Sequence, residues 1–451
     1  MAAPLIAPAP AMPARAAGRS AVRWKILALL VAASFVAYLL RTNMSVAGER
    51  MTSDLGLSQI HLGMVLAAFA WGYAICQFPG GILGDRIGAR RTLALTATLW
   101  GVLNLLVGFV PGPATASPII ILGSLIALRA SMGAVQAPLY PVTGGAMTCA
   151  WFPVSGWALP NALSNAGLTL GSAAAGPLVA WLTETMGWRQ SFILMAPLGF
   201  LLAGIWWWYA RDTPAEHPAV KQGELELIDA GRPPFACAGP TEGAWKVVLR
   251  DRDVLLLALS YFCSNYVFYF FFNWLFIYLV DQRGFKLLES GFYSAAPWVS
   301  GALGALLGGV VCDRLCQRLG MRWGCRIPAM VGLVLAGGFI LAAANAVDPL
   351  VAVALLSFCL GAQQLAEGAF WAGTIAVSGR FASSACGILN TGGNVVGGVG
   401  ALLVPITVQR FGWTVALATA SVFALAGAMV WWWINADRKM ALAEPGQASP
   451  A

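Results

Sequence analysis

The chain carries at residues 81–91 the sequence GILGDRIGARR, in which the pair Asp85-Arg86 is framed by glycines and followed by arginines. A second copy, GVVCDRLCQRLGMR, stands at residues 309–322 and centres on Asp313-Arg314. The two pairs lie about half the chain length apart, and each follows a long apolar run. A loop repeated at equivalent points indicates a duplicated architecture with two equivalent halves.

The composition indicates that lipid surrounds most of this chain. Of its 451 residues, 59% are apolar and only 10% are charged, whereas soluble domains carry about 25% charged residues. So few charges cannot form a water-exposed surface. The net charge of +8 does not indicate nucleic-acid binding, because the basic residues form short clusters between apolar runs, which is the orientation signal of membrane proteins.

Apolar runs of bilayer-crossing length recur along the whole chain. They predict an all-α membrane protein of twelve transmembrane helices, arranged as two pseudo-symmetric six-helix bundles around a polar linker. The predicted spans are residues 24–48, 60–83, 92–110, 118–148, 157–182, 190–210, 253–280, 290–311, 326–345, 349–377, 384–408 and 413–435.

The spans also define the predicted organisation. We expect a disordered tail at 1–22, bundles at 23–211 and 253–436, a linker at 212–252 and a second tail at 437–451. If the amino terminus lies inside the cell, most of the 27 Lys and Arg residues fall in cytoplasmic segments, as the positive-inside rule requires. Both tails and the linker are therefore predicted to be cytoplasmic. We expect a monomer in the bacterial inner membrane.

The framed Asp-Arg loop resembles the signature loop of the major facilitator superfamily. Other stretches resemble the anion:cation symporter branch of that family, and together the likeness covers roughly residues 20–435. They are Arg41 to Ala47, Tyr73 to Gly81, Arg129 to Pro141, Trp151 to Pro153, Gly187 to Arg189, Asn273 to Leu275 and Gly387 to Asn394. The resemblance implies a secondary active transporter of a small organic anion, such as a sugar acid, in which two bundles rock around a central cavity. It also implies a cytoplasmic latch at Asp85, Arg86, Asp313 and Arg314.

Arg41 and Arg129 are the predicted anion-binding residues. An arginine at membrane depth costs about 2.5–3.5 kcal/mol on insertion scales, and neither residue has an acidic neighbour in the sequence. Facing a water-filled cavity, each would present a fork of N–H donors to a carboxylate. The alternatives are a side chain that reaches the bilayer interface, which suits Arg41 better than Arg129, or one that bonds to backbone.

Polar residues elsewhere in the spans complete the predicted site. By resemblance two tyrosines line the cavity, while amides offer hydrogen bonds to the hydroxyls of a sugar acid. Aromatic packing and amide contacts between helices are the competing interpretations. The predicted residues are Tyr73, Gln136, Tyr140, Asn165, Tyr269 and Asn394.

Ion coupling is left open by two departures from the branch's usual pattern. Leu40 and Gln136 stand where relatives often carry Asp and Glu, and neither can load and release a proton. Glu367 is the one acidic residue away from the ends of the predicted spans. It is predicted either to accept a co-transported proton or sodium ion or to pair with an arginine of the opposite half. Anion exchange or uniport is the alternative.

No pattern predicts catalysis, a cofactor or ATP-driven transport, since no nucleophile–base arrangement and no phosphate-binding GxxxxGK[ST] loop occurs. Cys312, Cys316 and Cys325 fall in a predicted cytoplasmic loop without a histidine or CxxC partner. Reduced structural thiols are therefore favoured over a zinc site. A drug or cation exporter is disfavoured by the basic cavity. A non-transporting sensor is disfavoured because the chain leaves no room for a signalling domain.

Overall fold

The computed structural model describes residues 20–152, 158–229, 248–378 and 382–438. Regular structure in these ranges is helical, with a π-helical segment at Pro141–Met147 and a 3-10 turn at Pro214–Glu216. The α-helices are α1 Val22–Leu55, α2 Gln59–Ile87, α3 Ala89–Gly108, α4 Pro118–Gln136, α5 Thr148–Trp151, α6 Ala158–Met186, α7 Trp188–Tyr209, α8 Gln222–Asp229, α9 Arg252–Asn273, α10 Leu275–Asp281, α11 Leu287–Asn345, α12 Pro349–Leu365, α13 Glu367–Ser378, α14 Ala382–Phe411 and α15 Trp413–Val430.

Eleven segments of the described ranges are long and apolar enough to cross a bilayer. One of them, the 59-residue helix α11, reverses direction at Gly320, whose φ of 78° and ψ of 169° are not helical. This helix therefore contains two crossings, and the described residues hold twelve, six on either side of the linker. The predicted fold class is confirmed.

The reversal at Gly320 corrects one detail of the sequence analysis. Cys312, Cys316 and Cys325 were expected in a loop, but all three lie on helical segments of α11. Glycine adopts a positive φ without the steric cost that a Cβ brings. A single residue is therefore enough to turn the chain between the eighth and ninth crossings, and no longer loop is needed.

Two crossings are interrupted in mid-course. The seventh breaks at Trp274, between α9 and α10, where φ is −124°. The tenth breaks at Ala366, immediately before Glu367. Both crossings were predicted as single spans, and the breaks lie inside the predicted bounds.

The halves repeat a capping contact at the ends that the predicted orientation places in the cytoplasm. Asp212, just after α7, accepts a hydrogen bond from the backbone N–H of Arg90 at 2.7 Å. Asp437, just after α15, accepts one from the backbone N–H of Arg322 at 3.1 Å. Each carboxylate thus lies at the amino-terminal end of its half's third crossing, where the helix dipole favours negative charge.

Close helix packing positions the centre of the N-terminal bundle. A Cβ placed on Gly133 of α4 would lie 2.1 Å from the carbonyl oxygen of Phe69 on α2. At Gly72 of α2 it would lie 2.2 Å from the carbonyl oxygen of Ala130. The two helices are therefore in backbone contact beside Arg129, which brings that side chain against the ring of Phe69.

The two bundles meet at the end of the molecule where α1 ends and α2 begins. There a Cβ on Gly63 of α2 would lie 2.5 Å from the carbonyl oxygen of Ala401 on α14. Gly176 of α6 similarly meets Gly291 of α11, at 2.6 Å from its carbonyl oxygen. Contacts this close leave no passage between these helix pairs at this end, which the predicted orientation places outside the cell.

Candidate functional site

Arg41 lies at the junction of the two halves and is 2% exposed. Its guanidinium stands between two rings, with its central carbon 4.4 Å from the centroids of both Phe69 and Phe272. Nη1 donates to the hydroxyl of Tyr38 at 3.3 Å, and Nη2 donates to that of Tyr269 at 3.1 Å. Rings and hydroxyls therefore hold this cation, and the interfacial position considered for it is not adopted.

Arg129 lies beneath Arg41 and is 3% exposed. Its guanidinium carbon is 4.8 Å from the centroid of the Phe69 ring, and Nη2 donates to the backbone carbonyl of Arg41 at 3.3 Å. The backbone bond was one of the alternatives foreseen for this residue. It uses one of the five N–H donors of the side chain.

Neither arginine is neutralised within the described part of the chain. No carboxylate oxygen described there lies within 4 Å of either guanidinium, and the Nε atom of each has no hydrogen-bond partner. A buried cation without a counter-charge is costly unless an anion joins it. The pair is therefore a candidate site for a negatively charged ligand.

Tyr269 extends the contacts of Arg41 into the C-terminal half. Its hydroxyl donates to Oδ1 of Asn394 at 2.8 Å, while Nδ2 of Asn394 donates to the carbonyl of Asn390 at 2.8 Å. The amide of Asn394 is thus engaged on both sides. Its position supports Tyr269 and leaves little capacity for a direct bond to substrate.

A cavity of about 30 Å³ lies next to the arginines, within the N-terminal half. This volume accommodates about two water molecules. The cavity brings together four of the predicted residues, and Tyr38 links it to Arg41. Its lining is Ser34, Tyr38, Tyr73, Gln136, Leu139, Tyr140, Thr143, Ser164, Asn165 and Leu168.

Gln136 places a buried side-chain amide in this cavity wall. It is 1% exposed, and neither Oε1 nor Nε2 has a hydrogen-bond partner in the described structure. An unpaired buried amide costs about 1–3 kcal/mol. An unpaired donor and acceptor side by side are suited to a ligand hydroxyl, which can satisfy both.

Glu367 lies at the break of the tenth crossing and is half-buried. Its Oε1 accepts from the hydroxyl of Tyr261 and from Nε1 of Trp371, both at 2.8 Å. The predicted pairing with an arginine of the opposite half is not found among the described residues, and its neighbours are neutral. The ring centroids of Trp371 and Tyr140 are 6.2 Å apart. Trp371 therefore connects the Glu367 carboxylate to Tyr140 in the cavity wall.

The predicted latch is described only in part. Arg86, Asp313 and Arg314 are exposed, and no ion pair joins them within the described ranges. The side chain of Asp85 lies outside what the structure describes.

Three contributors to the site were missed by the sequence analysis, namely Tyr38, Phe69 and Phe272. Tyr38 precedes Arg41 by three residues, and Phe69 precedes Tyr73 by four, so helical spacing placed both on the relevant faces. Phe272 comes from the other half, and no local pattern indicates its contact with Arg41.

Comparison with known proteins identifies several relatives. The family model described as Major Facilitator Superfamily matches residues 30–363. The chain is 33% identical over 326 residues to a probable galactarate/D-glucarate transporter, GudP, of Bacillus subtilis, covering 70% of each chain. It is 29% identical over 437 residues to a D-galactonate transporter of Escherichia coli O6:H1, covering 93% of this chain and 96% of that one.

The fold also matches solved structures. A bacterial homolog of the human lysosomal transporter Spinster, in an inward-facing and unoccupied conformation, superposes with a TM-score of 0.75 and 18% sequence identity. The match covers 94% of this chain and 98% of that chain. At this identity the likeness establishes the fold alone.

Proposed function

The chain belongs to the Major Facilitator Superfamily, in its anion:cation symporter branch, and we propose that it carries a sugar acid across the membrane by alternating access. It is a multi-pass membrane transporter of small organic anions and not an enzyme, as its relatives are transporters. The proposal of a sugar acid draws on relatives named for galactarate, D-glucarate and D-galactonate.

The observation that carries the proposal is the unneutralised pair Arg41 and Arg129. Both guanidinium groups are buried, stacked on the same ring of Phe69, and free of any described carboxylate. A substrate carboxylate would supply the missing counter-charge through charge-assisted hydrogen bonds. The two positive charges would repel a cationic drug, so an exporter of cations is not favoured.

Recognition of the hydroxylated part of the substrate is assigned to the cavity below the arginines. The hydroxyls of Tyr38, Tyr73 and Tyr140 and the amides of Gln136 and Asn165 line it. These groups can both donate and accept hydrogen bonds, as the several hydroxyls of a sugar acid require. Asn394 acts one step removed, by positioning Tyr269.

Transport requires this conformation to open. About 30 Å³ is too small for a six-carbon acid, while the bond from Arg41 to Tyr269 joins the two halves. A substrate carboxylate would replace the Tyr269 hydroxyl on Nη2 and so weaken a contact between the bundles. The exposed latch residues would come together when the cytoplasmic end closes.

Uptake into proteoliposomes tests the proposal. With labelled galactarate, D-glucarate and D-galactonate as probes, Arg129→Ala is expected to lower transport at least about 100-fold, in line with the loss of a charged hydrogen-bonding group in a dry site. Arg50→Gln, an exposed arginine on the same helix as Arg41, is the control and should transport normally. Wild-type uptake by Arg129→Ala would refute the anion site.

Glu367 is the proposed coupling group, because it is a half-buried carboxylate with neutral neighbours beside the cavity. Glu367→Gln keeps the hydrogen-bonding shape and removes the titratable proton. We expect this variant to retain exchange of internal for external substrate and to lose accumulation driven by a pH gradient. Accumulation driven by a sodium gradient alone would instead assign sodium as the co-ion. Unchanged gradient-driven accumulation would contradict a coupling role.

The remaining assignments follow from charge distribution and family. We propose that both termini and the linker lie in the cytoplasm, that the protein resides in the bacterial inner membrane, and that one chain is the transporting unit. Cysteine labelling from either side of intact vesicles, with single cysteines in the linker, reports the orientation.

A further inference from the structure

Three thiols converge where the eighth and ninth crossings meet. The sulfur of Cys316 lies 3.9 Å from that of Cys312 and 3.8 Å from that of Cys325. All three sulfur atoms are within 4.8 Å of one another. Cys312 and Cys325 are 2% and 0% exposed, while Cys316 is partly exposed. This cluster plays no part in the anion site.

The convergence is produced by the turn between the two crossings. Cys312 and Cys316 are one helical turn apart on the segment before Gly320, and Cys325 lies on the segment that follows. A Cβ on Gly324 would lie 2.4 Å from the Cα of Cys316. The two segments are therefore in backbone contact, and the thiols of one face that of the other.

We propose that Cys312, Cys316 and Cys325 form a three-thiolate site for a thiophilic d10 metal ion, of which Zn²⁺ is the common example. A Zn–S bond of about 2.3 Å in tetrahedral geometry separates neighbouring sulfurs by about 3.8 Å. The two short sulfur separations here, 3.8 and 3.9 Å, match this edge, and the third pair, which lies within 4.8 Å, would close by no more than about 1 Å on binding. Soft thiolate ligands with no oxygen or imidazole favour such ions over Mg²⁺ or Ca²⁺.

Simple packing of reduced thiols accounts less well for this geometry. A buried cysteine behaves as a small apolar side chain and needs no sulfur neighbours. Cys263 and Cys359 are buried in this way, and neither belongs to a thiol cluster within the described residues. Partly exposed Cys316 provides an approach for the ion and a direction for a fourth ligand such as water.

A bound metal ion would join the eighth and ninth crossings through metal–sulfur bonds, next to Asp313 and Arg314. The thiols must lose protons to bind, so affinity for the ion is expected to rise with pH. The proposal does not depend on the identity of the transported anion.

Cadmium titration of the full-length protein tests this site. With reduced, anaerobic protein in detergent, Cd²⁺ is expected to produce a thiolate-to-cadmium charge-transfer absorption that saturates at one ion per chain and is reversed by excess EDTA. Cys325→Ser and Cys312→Ser should each weaken binding more than about 100-fold, because a ligand is lost. Cys359→Ser is the matched control and should bind as the wild type does.

Two results would overturn the proposal. One is the absence of a saturable absorption in the wild type whose thiols have been counted as reduced. The other is undiminished binding in Cys325→Ser or Cys312→Ser. Folded yield and melting temperature in detergent serve as the folding check for these variants, since neither measurement requires a known substrate.

Discussion

Arg41→Lys is the substitution that separates a charge requirement from a guanidinium requirement at the junction of the halves. The planar group is stacked between Phe69 and Phe272 and reaches two hydroxyls on opposite sides. An ammonium keeps the charge, but it cannot fill the planar space between the rings or bond Tyr38 and Tyr269 from two separate nitrogens.

The magnitude follows from the contacts that the ammonium fails to reproduce. A hydrogen bond to a charged group contributes about 1.5–3 kcal/mol, and a desolvated cation–π contact about 2 kcal/mol. If one charged hydrogen bond to the substrate carboxylate is lost, affinity falls about 10- to 150-fold, at 1.4 kcal/mol per factor of ten. Loss of ring stacking lowers the stability of the protein as well as its affinity.

Equilibrium binding in nanodiscs, with labelled galactarate, D-glucarate or D-galactonate as the probe, measures this loss. Arg50→Lys makes the same chemical change on the exposed end of the same helix and should bind with wild-type affinity. An Arg41→Lys protein that is folded and binds all three probes as tightly as the wild type would refute a role for the guanidinium shape. The charge alone would then be sufficient.

Further predictions concern coupling, capping and packing. Gln136→Glu places a second titratable carboxyl in the cavity wall, two helical turns from Arg129, and is expected to change the pH dependence of uptake that Glu367 gives the wild type. A pH profile from 5 to 8 identical to that of the wild type would contradict this. Asp437→Ala removes the charged cap of the ninth crossing and should lower the free energy of unfolding by about 0.5–2 kcal/mol in thermal denaturation, with Asp348→Ala at the cap of another crossing for comparison. Gly133→Ala should sharply reduce folded yield because its Cβ would lie 2.1 Å from a backbone oxygen, whereas Gly123→Ala on the same helix has open space and should be tolerated.

Much of the fold was predictable because the bilayer sets a strong constraint. Apolar runs of fixed length and the recurrence of Asp85-Arg86 at Asp313-Arg314 were sufficient to predict twelve crossings in two halves. The turn at Gly320 was harder to predict, because a single glycine with positive φ leaves no run of polar or loop-forming residues. The breaks at Trp274 and Ala366 likewise have no proline to mark them.

The site was predictable only where one helix carries the information. Burial of Arg41 and Arg129 followed from the cost of placing a charge at membrane depth. Tyr73 and Tyr140 were assigned to the cavity by resemblance, and Gln136 and Asn165 by their positions on polar helix faces. The pairing of Arg41 with Phe272 and Tyr269 depends on how two halves pack, which no local spacing encodes. The partners of Glu367, and the meeting of three cysteines across a turn, depend on tertiary contacts in the same way.

The central claim is that the buried guanidinium pair selects the negative charge of the solute. A thermal-shift comparison of galactarate with galactitol tests it most directly, because galactitol has the same carbon skeleton and the same four secondary hydroxyls but carries neutral CH2OH groups in place of both carboxylates. We predict that galactarate raises the melting temperature of the wild type, that galactitol has no effect at the same concentration, and that the double variant Arg41→Ala/Arg129→Ala responds to neither. Equal stabilisation by galactitol, or a galactarate shift that survives in the double variant, would contradict the claim.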